Sequence, residues 1–167
     1  MRNQSSGGPL ESGEIDALYT ADAPSSFKRR SPTIRRLFEN YVEVEGDYAQ
    51  RTGIFPIMHT LVIRRDVYEE NRWVAQSLMK AFDEAKTRVY AELVEGAALK
   101  YMLPWVTAET ERTRAVLGAD DFWQYGLGPN RKALETFLRY SYEQGLAAKR
   151  YDPAELFAPE CVDSWKK

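Results

Sequence analysis

The segment NRWVAQSLMKAFDEAKTRVYAEL, residues 71–93, carries the clearest periodic pattern in the chain. Its apolar residues recur at three- and four-residue steps, at Val74, Leu78, Phe82, Ala85, Val89 and Leu93. This spacing places them on one face of an α-helix. Asn71 is a suitable N-cap residue, because its side chain can accept a hydrogen bond from the first helical turn. The pattern therefore predicts a long amphipathic helix whose apolar face packs on the rest of the protein.

Two more helices are predicted after this segment. Residues 107–117 have a helical pattern that stops at Gly118, and glycine is common just past a last helical turn. Residues 131–146 follow Asn130, whose side chain can cap a helix. We therefore expect the second half of the chain to be rich in helices.

The segment before the long helix has a different character. Residues 53–64 contain Pro56, which prevents a helix through their centre, and the apolar run 58–63 then favours a β-strand. A second short apolar run, at residues 15–19, is consistent with a buried strand. Two strands make a poor sheet by themselves, because their edges need partners. The chain is therefore expected either to pair with another polypeptide or to form part of a larger unit.

The remaining segments near the two ends are mostly polar. Residues 33–40 and 42–51 are predicted to form two short helices. Residues 1–13 are rich in Gly and Ser and have no apolar core of a secretory signal, so a disordered leader is expected there. Residues 161–167 are expected to be an irregular tail.

The composition is that of an ordinary globular protein. Of the 167 residues, 44% are hydrophobic and 29% are charged, and the length fits one domain or part of a larger one. The formal net charge is −2 and no long basic block occurs, so we expect no nucleic-acid partner. No apolar run approaches the roughly 18 residues of a membrane span, and the single Cys161 cannot form an internal disulfide. These features predict a cytoplasmic protein with no membrane partner.

Motifs for the common cofactors and catalytic centres are absent from the sequence. It contains no GxGxxG, P-loop, HExxH, CxxC pair or Gly-x-Ser-x-Gly elbow. With one histidine and one cysteine, a zinc site of the usual kind is not expected. No motif points to a metal, although a site made of carboxylates alone stays open.

The single histidine, His59, lies at the start of the predicted strand 58–63. An imidazole at the boundary of an element can donate or accept a proton near neutral pH, which makes His59 a candidate general acid. The other interpretation is a buried histidine that bonds the backbone and has no chemical role. The sequence leaves both interpretations open.

Two arginines are candidates for binding an anion. Arg29 and Arg51 each lie at a predicted loop next to small residues. A guanidinium can bind a carboxylate through two parallel hydrogen bonds. Most surface arginines bind nothing of the kind, so an ordinary surface role is the alternative for both.

The stretch DFWQYGLGPNR, residues 121–131, places three aromatic rings and two glycines in one short loop. The N-terminus of the predicted helix that follows would attract anions, which favours a ligand contact here. The alternative is a hydrophobic plug that covers the ends of neighbouring helices.

Several separate blocks of the chain share the pattern of one family. One block is GIFPIMHT at residues 53–60, and another is DFWQYGL at residues 121–127. The others are residues 13–18, 64–66, 81–86, 130–131, 137–140, 143–146 and 153–159. Together these blocks resemble the second half of 4,5-dihydroxyphthalate decarboxylases. The sequence departs from the family at Gln124, where a proline is expected, and in the leader before Leu10.

The resemblance implies an α/β fold, the C-terminal part of a two-lobed type II periplasmic-binding-protein-like structure that is helix-rich with few strands. Within a partial domain of residues 14–160, residues 14–57 would complete the second lobe. Residues 58–160 would supply a crossing strand and C-terminal helices that pack on a first lobe absent from this chain. The chain is therefore expected to be a C-terminal fragment whose partner is the missing N-terminal lobe or another copy of itself.

The resemblance also implies decarboxylation of 4,5-dihydroxyphthalate to protocatechuate, in the breakdown of phthalate, without a cofactor. His59 would be the catalytic acid. The substrate, a small aromatic dicarboxylate, would be bound by the other candidate residues, Arg51, Arg29, Ser25, Thr52 and Tyr125. One alternative is a substrate-binding protein of an ABC-type transporter for a small anionic or aromatic solute, because a fold does not by itself decide function. Another is a fragment without function.

Overall fold

The computed structural model describes residues 7–162 and shows only helices and irregular segments in that range. The chain divides into two compact units, one ending at Glu45 and the other beginning at Gly46. None of the helices between residues 7 and 162 is long and apolar enough to cross a bilayer.

The first unit contains two short helices, α1 (Gly7–Ser12) and α2 (Ser25–Lys28), and the start of a third. The guanidinium of Arg29 donates to the Glu11 carboxylate at 2.9 Å, which ties the end of α2 to α1. Ser26, within α2, is fully buried.

The second unit contains most of α3 and all of the later helices. The helices are α3 (Tyr41–Thr52), α4 (Arg65–Glu70), α5 (Trp73–Leu93), α6 (Val106–Leu117) and α7 (Leu127–Glu143), followed by short 3-10 helices at Pro153–Leu156 and Pro159–Cys161. The long helix α5 packs against α6 and the last 3-10 helix, and α7 packs against the first one.

Three of the buried leucines of this unit belong to α7. Leu127, Leu134 and Leu138 are at most 8% exposed, and their spacing places them on one face of the helix. Pro153, in the 3-10 helix that contacts α7, is also fully buried. Burying a leucine side chain contributes roughly 1.5–3 kcal/mol, so this face holds α7 in place.

Three predicted helices are confirmed. The long amphipathic helix is α5, the helix over residues 42–51 is α3, and the helix that stops at Gly118 is α6. Gly118 adopts φ 68°, a left-handed conformation that costs glycine little and so ends α6 cleanly.

The two predicted asparagine caps are wrong. The helix predicted over residues 131–146 begins earlier, at Leu127, so Asn130 lies inside its first turn. There its side-chain nitrogen donates to the carbonyls of Gln124 and Gly126, both at 2.9 Å. Asn71 ends α4 rather than capping α5 with its side chain. Both side-chain amides bond preceding carbonyls. Which backbone group an asparagine side chain bonds depends on local backbone geometry and not on residue type.

The predicted α/β fold class is wrong, since residues 7–162 form no strand or sheet. The predicted strand 58–63 is an irregular segment, with Met58, Leu61 and Val62 more than 60% exposed. The predicted strand 15–19 ends at a fully exposed Tyr19. A strand needs a neighbour to pair with its backbone N–H and C=O groups, and the described part of the chain supplies none.

Two shorter predictions also fail. Residues 33–40 form turns and not a helix, and Leu37 and Phe38 there are exposed. A helix of that length is marginal unless its apolar face is buried. Of the predicted disordered leader, residues 7–12 form α1, while residues 1–6 lie outside the described residues, as does most of the tail predicted at 161–167. The assignment of residues 14–57 and 58–160 to different lobes stays a prediction.

Candidate functional site

His59 lies in the irregular segment between α3 and α4, and its side chain is exposed. Among the described residues, no hydrogen bond or ion pair of its ring is seen. A histidine with a purely structural role would be buried and bonded to the backbone, and His59 is neither. Its proposed role as an acid stays a prediction.

Arg51 and Thr52 form the last turn of α3. The Arg51 guanidinium is 65% exposed and lies 3.6 Å from the Asp47 carboxylate, one helical turn earlier. An exposed pair of this kind contributes little free energy, so Arg51 can leave Asp47 for another carboxylate at small cost.

The Thr52 hydroxyl is already engaged by the backbone. It donates to the Tyr48 carbonyl at 2.6 Å and accepts from the Ile54 N–H at 3.1 Å. The Thr52 carbonyl accepts from the ammonium of Lys132, on α7. These bonds fix the corner at which α3 ends and the segment of His59 begins. A ligand carboxylate could take the Thr52 proton only by displacing Tyr48.

The other two candidates, Ser25 and Arg29, belong to the first unit. The Arg29 backbone N–H donates to the Ser25 carbonyl at 2.9 Å, which closes α2. The Arg29 side chain is paired with Glu11, so binding a ligand carboxylate there requires this pair to open. Their roles in binding also stay predictions.

Tyr125 lines an open concavity of about 360 Å³ in the second unit, which we call the aromatic groove. One wall is α5 and the other is the loop between α6 and α7, and the lining is almost entirely apolar. The groove is formed by Phe82, Ala85, Lys86, Val89, Tyr90, Leu93, Phe122, Trp123 and Tyr125. Leu127, at the start of α7, is buried, whereas Trp123 and Tyr125 remain more than a third exposed, and the ligand contact of this loop stays a prediction.

The polar groups at the floor of the aromatic groove form one connected network. The ammonium of Lys86 lies 2.8 Å and 3.0 Å from the two oxygens of Asp121, and 3.2 Å from Asp83. The Tyr90 hydroxyl donates to Asp121 at 2.9 Å and accepts from the Trp123 backbone N–H at 2.8 Å. The network therefore fastens the start of the loop to α5.

The Lys86 side chain is only 8% exposed, so its charge is largely removed from water. It lies 4.7 Å from the centre of the Tyr125 ring, within range of a cation–π contact. Two carboxylates, of Asp83 and Asp121, already face the ammonium. Because these carboxylates already pair with its single positive charge, Lys86 is not a free partner for an anionic ligand.

Tyr90 keeps its proton at neutral pH. Burial, together with the hydrogen-bonded carboxylate of Asp121, raises the pKa of Tyr90 to about 12. The phenol therefore acts as a hydrogen-bond donor and not as a base. Its function in this geometry is to hold the loop.

A contact between two rings joins this loop to the segment of His59. Phe55 and Trp123 pack edge to face with their centres 5.6 Å apart. Such pairs prefer this geometry, because the positive edge of one ring meets the negative face of the other. Phe55, in the segment that follows Arg51 and Thr52 and leads to His59, thus lies against the loop of Tyr125.

The sequence interpretation missed Lys86, Tyr90 and Lys132. Lys86 and Tyr90 are four residues apart on α5, which is the spacing of neighbours on one helix face. That signal was available, but the partner Asp121 lies more than 30 residues away, and only the fold brings it there.

Within residues 7–162, no group of three His, Cys, Asp or Glu side chains could hold a metal ion.

The chain is similar to a known enzyme along almost its whole length. It is 36% identical over 157 residues, or 94% of the chain, to the 4,5-dihydroxyphthalate decarboxylase of Comamonas testosteroni. No model of a known protein family matches the sequence. The match places the chain in a lineage of carboxy-lyases. The chain belongs to the 4,5-dihydroxyphthalate decarboxylase family, which confirms the resemblance seen in its sequence blocks. It spans about half of this relative's length, 47%.

Proposed function

We propose that the chain takes part in the decarboxylation of 4,5-dihydroxyphthalate to protocatechuate. The observation that carries this proposal is the similarity to the Comamonas decarboxylase over 157 residues. Because the chain covers 47% of that relative, activity is expected when the remainder of the enzyme is also present.

The reaction can be built from the substrate's own groups. A ring hydroxyl para to the departing carboxylate pushes electrons into the ring, and an acid protonates the carbon that bears this carboxylate. The bond to the carboxylate carbon then breaks, CO2 leaves, and its bonding electrons restore the aromatic ring. General acid catalysis of this kind contributes typically about 10²–10⁴-fold.

His59 is the proposed acid. Its exposed ring has no competing hydrogen bond among the described residues, so a substrate can reach it. The contact between Phe55 and Trp123 supports a shared surface for this segment and the loop of Tyr125. Tyr125 is 38% exposed, which leaves part of its ring open to a substrate ring.

Arg51 is the proposed anchor for a substrate carboxylate. Its pairing with Asp47 is long and exposed, so exchange of one carboxylate for another costs little. Substrate-binding roles for Arg29 and Ser25 stay part of the proposal only through the family resemblance, and in the first unit Arg29 must first release Glu11. Thr52 is proposed as an acceptor from a substrate hydroxyl, because its own proton is engaged by Tyr48.

The substrate class, a small aromatic dicarboxylate, and a cytoplasmic location are parts of the same proposal. Neither the described residues nor the comparison favours the alternative of a transporter's binding protein.

The test uses the full chain, alone and mixed with the part of the Comamonas enzyme that it does not match. Formation of protocatechuate and release of CO2 are measured with 4,5-dihydroxyphthalate as the substrate. We expect turnover in the mixture. Tight binding of the substrate without turnover would favour a receptor instead, and the absence of both binding and turnover would refute the proposal.

A further inference from the structure

Residues 53–64, the segment that carries His59, have no regular structure. Among the described residues, no hydrogen bond of residues 55–63 is seen. A backbone without such bonds keeps several conformations open. The His59 ring is exposed, so burial does not fix it either. The position of His59 therefore depends on the points at which the rest of its segment is held.

The start of this segment is held at two points by residues in or near α7. The ammonium of Lys132, on α7, donates to the Thr52 carbonyl at the end of α3. Three residues later, the Phe55 ring packs edge to face on the Trp123 ring, with 5.6 Å between their centres. Phe55 and Trp123 are each 46% exposed, so about half of each residue is covered. The chain is thus held at residue 52 and again at residue 55.

A short and partly stiff stretch of chain joins Phe55 to His59. The ring of Pro56 fixes its own φ angle and also restricts the backbone of Phe55 to extended conformations. Four residues of extended chain span at most about 14 Å. A change in the position or direction of Phe55 therefore moves His59 with it.

Trp123 is itself fastened to α5. Its backbone N–H donates to the Tyr90 hydroxyl at 2.8 Å, and that hydroxyl donates to the Asp121 carboxylate at 2.9 Å. Asp121 is paired in turn with the largely buried ammonium of Lys86. The Trp123 ring is therefore attached to a bonded network, whereas the segment of His59 has no such network of its own among the described residues.

We propose that Trp123 is a positioning residue for the decarboxylation: its ring holds Phe55, and Phe55 sets where the His59 imidazole meets the substrate. The inference rests on the proposed function, since it needs His59 to be the acid. A general acid must come within hydrogen-bond distance of the atom that it protonates. A misplacement of about 1 Å can lower the rate on the order of 10²-fold. Trp123 transfers no proton, and its effect on the rate goes through Phe55.

The test uses substitutions at both rings in the full chain. Trp123→Leu and Phe55→Leu each remove one ring and keep an apolar side chain, and a double variant removes both. Trp123→Phe supplies a ring that can still pack on Phe55. Trp105→Leu is the matched control, because Trp105 is 74% exposed immediately before α6 and is not part of the ring pair. Circular dichroism checks that each variant folds.

Two measurements are made separately. In the chain alone, NMR relaxation of the backbone amides of residues 57–60 reports the mobility of the segment without any turnover. In the mixture with the part of the Comamonas enzyme that the chain does not match, kcat and KM are measured with 4,5-dihydroxyphthalate.

In the chain alone, we expect residues 57–60 to become more mobile in Trp123→Leu and in Phe55→Leu, and to stay as in the wild type in Trp123→Phe and Trp105→Leu. In the mixture, kcat should fall by about tenfold or more in either ring-removing variant, with KM changed far less. The double variant should lose no more than either single variant, because both act through one contact. Trp123→Phe should keep most of the wild-type kcat.

Unchanged mobility of residues 57–60 in Trp123→Leu would overturn the proposal, whatever the kinetics. An unchanged kcat despite raised mobility would overturn it as well. Additive losses in the double variant, or a raised KM with kcat unchanged, would make Trp123 a direct substrate contact and not a positioning residue. If the wild-type mixture shows no turnover, the proposed function fails, and the mobility measurement still decides whether Trp123 holds the segment of His59.

Discussion

The ammonium of Lys86 lies 2.8 Å from the carboxylate of Asp121, and this pair joins α5 to the loop that precedes α7. The Tyr90 hydroxyl bonds the same carboxylate, and the Trp123 backbone bonds Tyr90. One aspartate thus sets the position of the whole loop, including Trp123 and its contact with Phe55.

Replacing this aspartate should loosen the loop. In Asp121→Asn the nearly buried ammonium of Lys86 keeps only Asp83 as a charged partner, and Tyr90 loses a charged acceptor. Hydrogen bonds to charged groups contribute about 1.5–3 kcal/mol, so we expect the free energy of unfolding in urea to fall by about 1–2 kcal/mol. The control is Glu69→Gln, which removes an exposed pair with Arg65 and should change stability by less than about 0.5 kcal/mol. Equal effects of both substitutions would contradict the anchoring role of Asp121.

The residue before α7 should tolerate only glycine. Gly126 has φ 93° and ψ 166°, a conformation that other residues avoid, and an added Cβ would lie 3.3 Å from the terminal methyl of Met79. Gly126→Ala should therefore destabilise the protein by about 1–3 kcal/mol. Gly128→Ala is the matched control, because Gly128 lies within α7 with open space around it. This substitution should raise the free energy of unfolding by up to about 1 kcal/mol. Thermal melts of the two variants should shift in opposite directions.

The stability of the second unit should depend on pH through Glu160. The Tyr68 hydroxyl donates to Glu160 at 2.7 Å and holds the pKa of that carboxyl below its ordinary value of 4.5. A carboxyl whose pKa is lowered in the folded state stabilises the protein at pH values above its ordinary pKa. This contribution is lost as the pH falls through the pKa of the folded state. Tyr68→Phe should therefore destabilise the protein at neutral pH and much less in acid.

Carboxyl resonances followed by NMR during an acid titration give the pKa of Glu160 directly. We expect it to rise toward its ordinary value in Tyr68→Phe. Tyr142→Phe removes a hydroxyl from a half-exposed tyrosine on α7 and should leave the Glu160 titration unchanged. An unshifted Glu160 in Tyr68→Phe would show that this hydrogen bond does not set its pKa.

The proposed role of His59 as the acid can be tested in the mixture of the chain with the part of the Comamonas enzyme that it does not match. His59→Gln keeps similar size and some hydrogen bonding but removes the titrating group. We expect kcat to fall on the order of 10²-fold or more, with KM changed far less, and the limb of the pH profile that follows the imidazole to disappear. The exposed neighbour Met58 provides the control, as Met58→Gln should leave kcat near normal. If kcat is unchanged in His59→Gln, the proton comes from water or from another residue.

The helices were predictable where a long periodic pattern agreed with burial. The apolar repeat of residues 71–93 gave α5 almost to the residue, and Gly118 ended α6 as expected. The cap at Asn130 and the helix at 33–40 were not predictable, because short polar side chains and eight-residue segments have several nearly equal conformations.

The candidate residues were predicted one at a time from their chemical type, and their arrangement was not. His59, Arg51 and Tyr125 could be named because a histidine, a loop arginine and a loop aromatic suit an aromatic acid. The contact of Phe55 with Trp123 could not be foreseen, since nearly 70 positions separate the two rings in the sequence.

By itself, the sequence determined the family, the amphipathic helices and the lack of common cofactor motifs, because these depend on residue type and on spacing within one segment. Tertiary structure alone decided that residues 58–63 remain an exposed irregular segment and that Asp121 meets Lys86. These features depend on which distant segments are present to pair or to pack. A strand needs a partner for its backbone, and a buried charge needs an opposite charge, which only the folded chain can bring to it.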